Sequence, residues 1–91
     1  MPITIHVPAV LRGCCHGASH LSLSAASVRA ALAQIEQSYA ELHRSICDET
    51  GAVRRHVNVF VNMAHVRDLD GMDTVLAQGD VITILPAVSG G

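Results

Sequence analysis

At 91 residues the chain has room for one domain and none for a second. Its 49% apolar fraction includes only two aromatics, Tyr39 and Phe60, so the core is expected to be aliphatic. The net charge of −2 argues against a nucleic-acid-binding domain, and all six cations are arginines, so no side-chain amine is present to act as Schiff base, P-loop cation or isopeptide acceptor.

Ile3, Ile5 and Val7 alternate with Thr4 and His6, the period-two pattern of a half-buried strand that Pro8 limits. Residues 9–19, with Gly13, Gly17 and Ser19, are expected to form a loop. Leu21 and Leu23, set between His20, Ser22 and Ser24, predict the return strand of a hairpin. From Ser27 the period changes. Val28, Ala31, Leu32, Ile35, Tyr39 and Leu42 fall at three- and four-residue spacings and form one apolar stripe of a helix, with Ser24 or Ser27 as N-cap. The helix is expected to reach about Tyr39 and to fray or restart through Leu42 and Ile46. Asp48-Glu49-Thr50-Gly51 breaks the pattern, and Arg54-Arg55 leads into the next strand.

In that strand Val57, Val59 and Val61 face the core, while Asn58, Phe60 and Asn62 face away. Residues 62–65 are expected to turn, Val66–Leu69 to form a short strand or edge segment, and Met72–Leu76 to make one helical or 3₁₀ turn. Gln78-Gly79-Asp80 then turns tightly into a last strand, Val81 to Leu85, that is apolar on both faces except at Thr83. Such near-continuous apolar runs belong to covered strands, so this one is expected to lie centrally, beside the first. The order is α+β, one main helix packed across a mixed sheet of four or five strands, which is the plan of a β-grasp, the ubiquitin-like architecture. The expected division is a β-grasp domain over 1–85 and a flexible tail over 86–91.

Val57-Asn58-Val59-Phe60-Val61-Asn62, and then Gly79-Asp80-Val81-Ile82-Thr83-Ile84-Leu85-Pro86-Ala87-Val88-Ser89-Gly90-Gly91, resemble the MoaD/ThiS family of ubiquitin-like sulfur carriers. The combination of a Gly-Asp turn, an apolar strand, a proline and a closing Gly-Gly carries the resemblance. The Leu-Pro-Ala-Val-Ser-Gly-Gly ending is most similar to the CysO type, which serves cysteine biosynthesis. The resemblance implies that the chain is not an enzyme but a protein substrate. An E1-like, MoeB/ThiF-type enzyme would adenylate the carboxylate of Gly91 with ATP, and a sulfur donor would convert it to a thiocarboxylate. The acceptor would be a PLP-dependent cysteine synthase, with a metallopeptidase to release the product. ATP and PLP would belong to these partners, and no cofactor or metal to this chain. Alternatives within the resemblance are the small subunit of a molybdopterin synthase and a protein modifier conjugated through Gly91.

The residues make physical sense of such a role. A carboxylate reacts only once its oxygen becomes a good leaving group, so the chain end must reach another protein's nucleotide site. Pro86, Ala87, Val88, Ser89, Gly90 and Gly91 span at most about 20 Å when extended, enough to thread a channel. Gly90 and Gly91 lack Cβ and pass a narrow one. Pro86, with no N–H to donate, is expected to mark where strand pairing stops.

Other candidates are weaker. Adjacent Cys14 and Cys15, with His16 and His20, lack the two-residue gap of a zinc knuckle and are expected in a solvated loop. Cys47 is expected to be a partly buried, inert thiol. Three cysteines, two of them adjacent, argue against a disulfide framework and for a reducing, cytoplasmic setting. Met1-Pro2-Ile3-Thr4 lacks the charged start of a signal peptide, and no apolar run approaches the ~18 residues of a membrane span. Phe60 either stands open on a polar face as a partner contact or is covered by a local loop. Arg54, Arg55 and Arg67 are the cations that would meet an acidic partner.

Overall fold

The computed structural model describes residues 2–86. Strand β1 (Pro2–His6) is followed by a 3₁₀ segment (Ala9–Cys15), β2 (His20–Ser24), helices α1 (Val28–Ser38) and α2 (Ala40–Ile46), β3 (Val57–Val61) and β4 (Ala64–His65). Two 3₁₀ turns, Val66–Asp68 and Gly71–Asp73, lead to β5 (Val81–Pro86). The five strands form one sheet in the order β2-β1-β5-β3-β4. β5 runs parallel to β1 and antiparallel to β3, so the first and last strands meet at the middle of the sheet, as their apolar runs predict.

Alternation decides which face is covered. Ile3, Ile5, Val59, Ile82 and Ile84 project to one side and are essentially inaccessible, and the α1 stripe of Val28, Ala31, Leu32 and Ile35 closes over them. This is a β-grasp, with an aliphatic core held between sheet and helix. α1 starts where it does because the Ser27 hydroxyl accepts the Ala30 N–H at 3.1 Å, satisfying one of the free donors of the first turn. It stops at Tyr39, whose backbone (φ −140°, ψ 67°) leaves the helical region, and the chain restarts at once as α2. The restart turns Leu42 and Ile46 into the core, where both are fully buried.

The irregular segments differ from expectation in three places. Residues 9–15 are a 3₁₀ segment, not a loop, and Cys15 is 1% exposed, in the core rather than in solvent. Leu11, Cys14 and Cys15 pack inward at three- and four-residue spacing, and the chain reverses only at His16 and Gly17, both at positive φ. The turn expected over 62–65 is shorter. Asn62 sits at φ 56°, a conformation asparagine tolerates, so Asn62-Met63 reverses the chain and Ala64–His65 already pair with β3. Val66–Asp68 is therefore a 3₁₀ turn and not an edge strand. Finally, the second 3₁₀ turn ends at Asp73. Residues 74–76 are extended along the chain before α1, with Val28 N–H on the Thr74 carbonyl and Leu76 N–H on the Ala26 carbonyl.

Candidate functional site: the exit of the central strand

The start of β5 is clamped. Gly79, at φ 88°, takes the left-handed conformation that the turn into the strand requires. Asp80 then closes that turn. One carboxylate oxygen accepts the Ala77 N–H at 2.8 Å and the other accepts the Asn62 side-chain amide at 3.1 Å. Asn62 in turn accepts the Val81 N–H at 3.1 Å through its side-chain oxygen, and its own N–H donates to the Val81 carbonyl at 2.7 Å. The Ala77 N–H first, and then Asn62, hold the Asp80 carboxyl below the usual aspartate range. One asparagine thus joins the β3–β4 turn to the root of β5 and fixes where β5 begins. Because the strand is hydrogen-bonded on both edges, that also fixes where it ends.

The strand ends at Pro86, which stands opposite Val57 in β3. Asn62 and Val81 are a hydrogen-bonded pair, so by the alternation of an antiparallel ladder Phe60/Thr83 and Asn58/Leu85 are bonded pairs and Val57/Pro86 is not. A residue without an N–H costs nothing at such a position. The Val57 N–H turns instead to the Arg54 carbonyl at 3.0 Å. Ala87, Val88, Ser89, Gly90 and Gly91, with the expected flexible tail they compose, lie outside the described residues; their root is Pro86.

Two surfaces flank this root. The first is the face of the sheet away from α1. Phe60 lies there with Thr83 beside it, half-buried, its ring edge-on to His65 at 5.1 Å between centroids. A hydrogen bond of 3.1 Å between His65 Nε2 and Asn58 Oδ1 fixes that imidazole. Leu85, 46% exposed, is the last apolar side chain of this face before the exit. Across the same row stand His6 and His20, with rings 4.8 Å apart. The second surface is a cavity of about 190 Å³ beside the first residue of β3, lined by Arg54, Arg55, Arg67, His65 and the valines Val53, Val57, Val59 and Val66. The fold thus brings Arg67 to the adjacent pair Arg54-Arg55 and sets the three next to the strand pair that ends at Pro86. The sequence suggested these three cations for an acidic partner without placing them around one cavity. The bridging role of Asn62 was not foreseen, though an asparagine directly after an alternating strand signals such a turn.

The thiols are set apart from this end. Cys15 and Cys47 are each 1% exposed, and burial, more than the neighbouring Cys14 or Asp48, pushes their thiols up from the ordinary range. Cys14 is half-buried, 3.8 Å from the Ser45 hydroxyl. All three are free, and among the described residues no three His, Cys, Asp or Glu side chains gather where they could hold a metal ion. Nor is any helix among them long and apolar enough to cross a membrane.

Comparison with known proteins places this geometry in a wider set. The ThiS family sequence profile matches residues 5–91. The chain is 36% identical to the sulfur carrier protein CysO of Mycobacterium tuberculosis over the whole length of both chains. It is 39% identical to small archaeal modifier protein 3 of Haloferax volcanii, over 72% of this chain and 71% of that one. Its fold superposes on a chain from the crystal structure of the Amycolatopsis orientalis BexX/CysO complex with a TM-score of 0.89 and 31% identity, covering 98% of this chain and 99% of the other.

Proposed function

The chain belongs to the ThiS family, and from that premise we propose that it is a sulfur carrier whose Gly91 carboxylate cycles through an acyl-adenylate and a thiocarboxylate to supply sulfur for cysteine synthesis. One observation carries this reading: the 36% identity to a CysO sulfur carrier extends over the whole of both chains, and the family match itself runs through Gly91. The chain is then a carrier substrate and not an enzyme. The domain as far as Pro86, the last paired residue of β5, forms the handle, and 87–91 are the segment that enters a partner's site.

The chemistry asks little of the side chains. An E1-like adenylating enzyme joins AMP from ATP to a Gly91 carboxylate oxygen and releases pyrophosphate. A sulfur donor then displaces AMP and leaves a carbonyl bonded to sulfur. What the domain contributes is the placement of that carbonyl. The Asn62–Asp80 clamp sets the root of β5, the ladder to β3 carries that position to Pro86, and the last five residues extend from there. Phe60, Arg54, Arg55 and Arg67 flank the root as the partner interface. The acceptor in this reading is a PLP-dependent cysteine synthase, with a metallopeptidase to release the product; this chain itself holds no cofactor.

Intact mass spectrometry after incubation with ATP, the adenylating enzyme and a sulfide source tests the proposal. The expected result is replacement of one oxygen by one sulfur, lost on deletion of Gly91 while the circular dichroism spectrum is kept. Persistent absence of the exchange in the wild-type chain would remove the reading. A second reading, a modifier joined through Gly91 to amines of other proteins, is favoured by the similarity to small archaeal modifier protein 3. Gly91-dependent adducts on cellular proteins, without sulfur on the free carrier, would select it.

A further inference from the structure

Arg54, Arg55 and Arg67 come from two separate stretches of chain, yet they line one concavity whose floor is valine and whose lining, among the described residues, contains no carboxylate. Arg54 is held in place, its Nε donating to the Arg44 carbonyl at 2.9 Å. Arg55 and Arg67 are exposed, and neither guanidinium has a hydrogen-bond or ion-pair partner among the described residues. The ion pair between Arg29 and Asp73 lies on another surface. Two cations with no such partner thus share one concavity beside Val57, the partner of Pro86, in a chain whose net charge is −2.

We propose that this cavity is a docking socket for an acidic side chain of the adenylating enzyme, gripped by the Arg55 and Arg67 guanidiniums while its aliphatic neighbours rest on the half-buried Val53 and Val66. The inference deepens the carrier reading and rests on it. Geometry separates this occupant from the nucleotide. The reacting carbonyl lies five residues beyond Pro86, up to roughly 17 Å away when the chain is extended, so the arginines stand at the mouth of the partner's channel and not at the phosphates. A planar guanidinium forms two parallel hydrogen bonds to a carboxylate, which fixes orientation as well as proximity. Docked so, the carrier presents its tail to the channel in one direction. The charges also speed encounter, because opposed surface potentials steer association.

Steady-state adenylation by the E1-like enzyme of the same organism, followed as pyrophosphate release, provides the test. Arg55→Glu and Arg67→Glu are each expected to raise the KM for the carrier about tenfold at low salt and to leave kcat within about twofold. The difference from wild type should shrink as salt is added. Arg29→Glu, with the same change in net charge on another surface, should move KM by less than about twofold, and Arg55→Lys should keep most of the affinity. Equal effects from Arg29→Glu and Arg55→Glu would show that net charge alone matters and overturn the socket. So would an unchanged carrier KM, or an effect on the KM for ATP instead. A wild-type chain that is never adenylated would instead remove the carrier reading, and the socket with it.

Discussion

Asp80→Asn is the sharpest probe of the clamp at the root of β5. The carboxylate serves two donors, the Ala77 N–H and the Asn62 amide, with one oxygen for each. Asparagine offers one oxygen and one NH₂, so one donor is left facing another donor. A hydrogen bond to a charged group contributes about 1.5–3 kcal/mol, and solvent access to this carboxylate brings the expected loss to about 1 kcal/mol. For a domain of this size that corresponds to a fall in Tm of about 4–8 °C. The pH dependence gives the check. Because its partners lower the Asp80 pKa, its contribution is fully present above the ordinary aspartate value of about 3.9 and disappears as pH falls through the lower folded value. Thermal unfolding of wild type and variant should therefore differ at pH 7 and converge only once the pH has fallen below the lowered folded value. Asp48, also lowered by its bonds to Thr50 and Ala52, is common to both proteins and cancels. A difference that persists undiminished at the acid end would refute the argument, since it could not then come from the ionised carboxylate.

Ile84→Ala should cost about 2–5 kcal/mol and lower the urea midpoint without changing the slope, because Ile84 is fully buried opposite Val59. A loss below about 1 kcal/mol would mean that β5 is not the covered central strand. Towards a thiol reagent at neutral pH, the folded chain should show one readily modified cysteine, Cys14. Cys15 and Cys47 should react only in denaturant, as their burial and raised pKa values require. Three fast thiols in the native protein would contradict that packing.

Much of this protein was legible in its sequence, and the reason is periodicity. Two-residue alternation in β1 and β3, the three- and four-residue stripe from Val28 to Ile35 and the unbroken apolar run of β5 each report burial directly, and burial is what the sheet and α1 are made of. The Gly-Asp turn was likewise apparent, because glycine reaches the left-handed backbone that such a turn requires. Other features depended on contacts between distant residues, which no local pattern encodes. The 3₁₀ segment over Ala9–Cys15 exists because Leu11 and Cys15 find the core, and the early return at Ala64 follows from the left-handed backbone of Asn62. Asn62 and Asp80 are eighteen residues apart and meet only because β3 pairs with β5. The three arginines are the same case: twelve residues separate Arg55 from Arg67, and only the hairpin and the turn after it fold them around one cavity beside the exit of the last strand. Sequence determined which strand is central and that a proline closes it. The tertiary structure decided what surrounds the point of departure, because a surface is assembled from whatever the strand order makes adjacent.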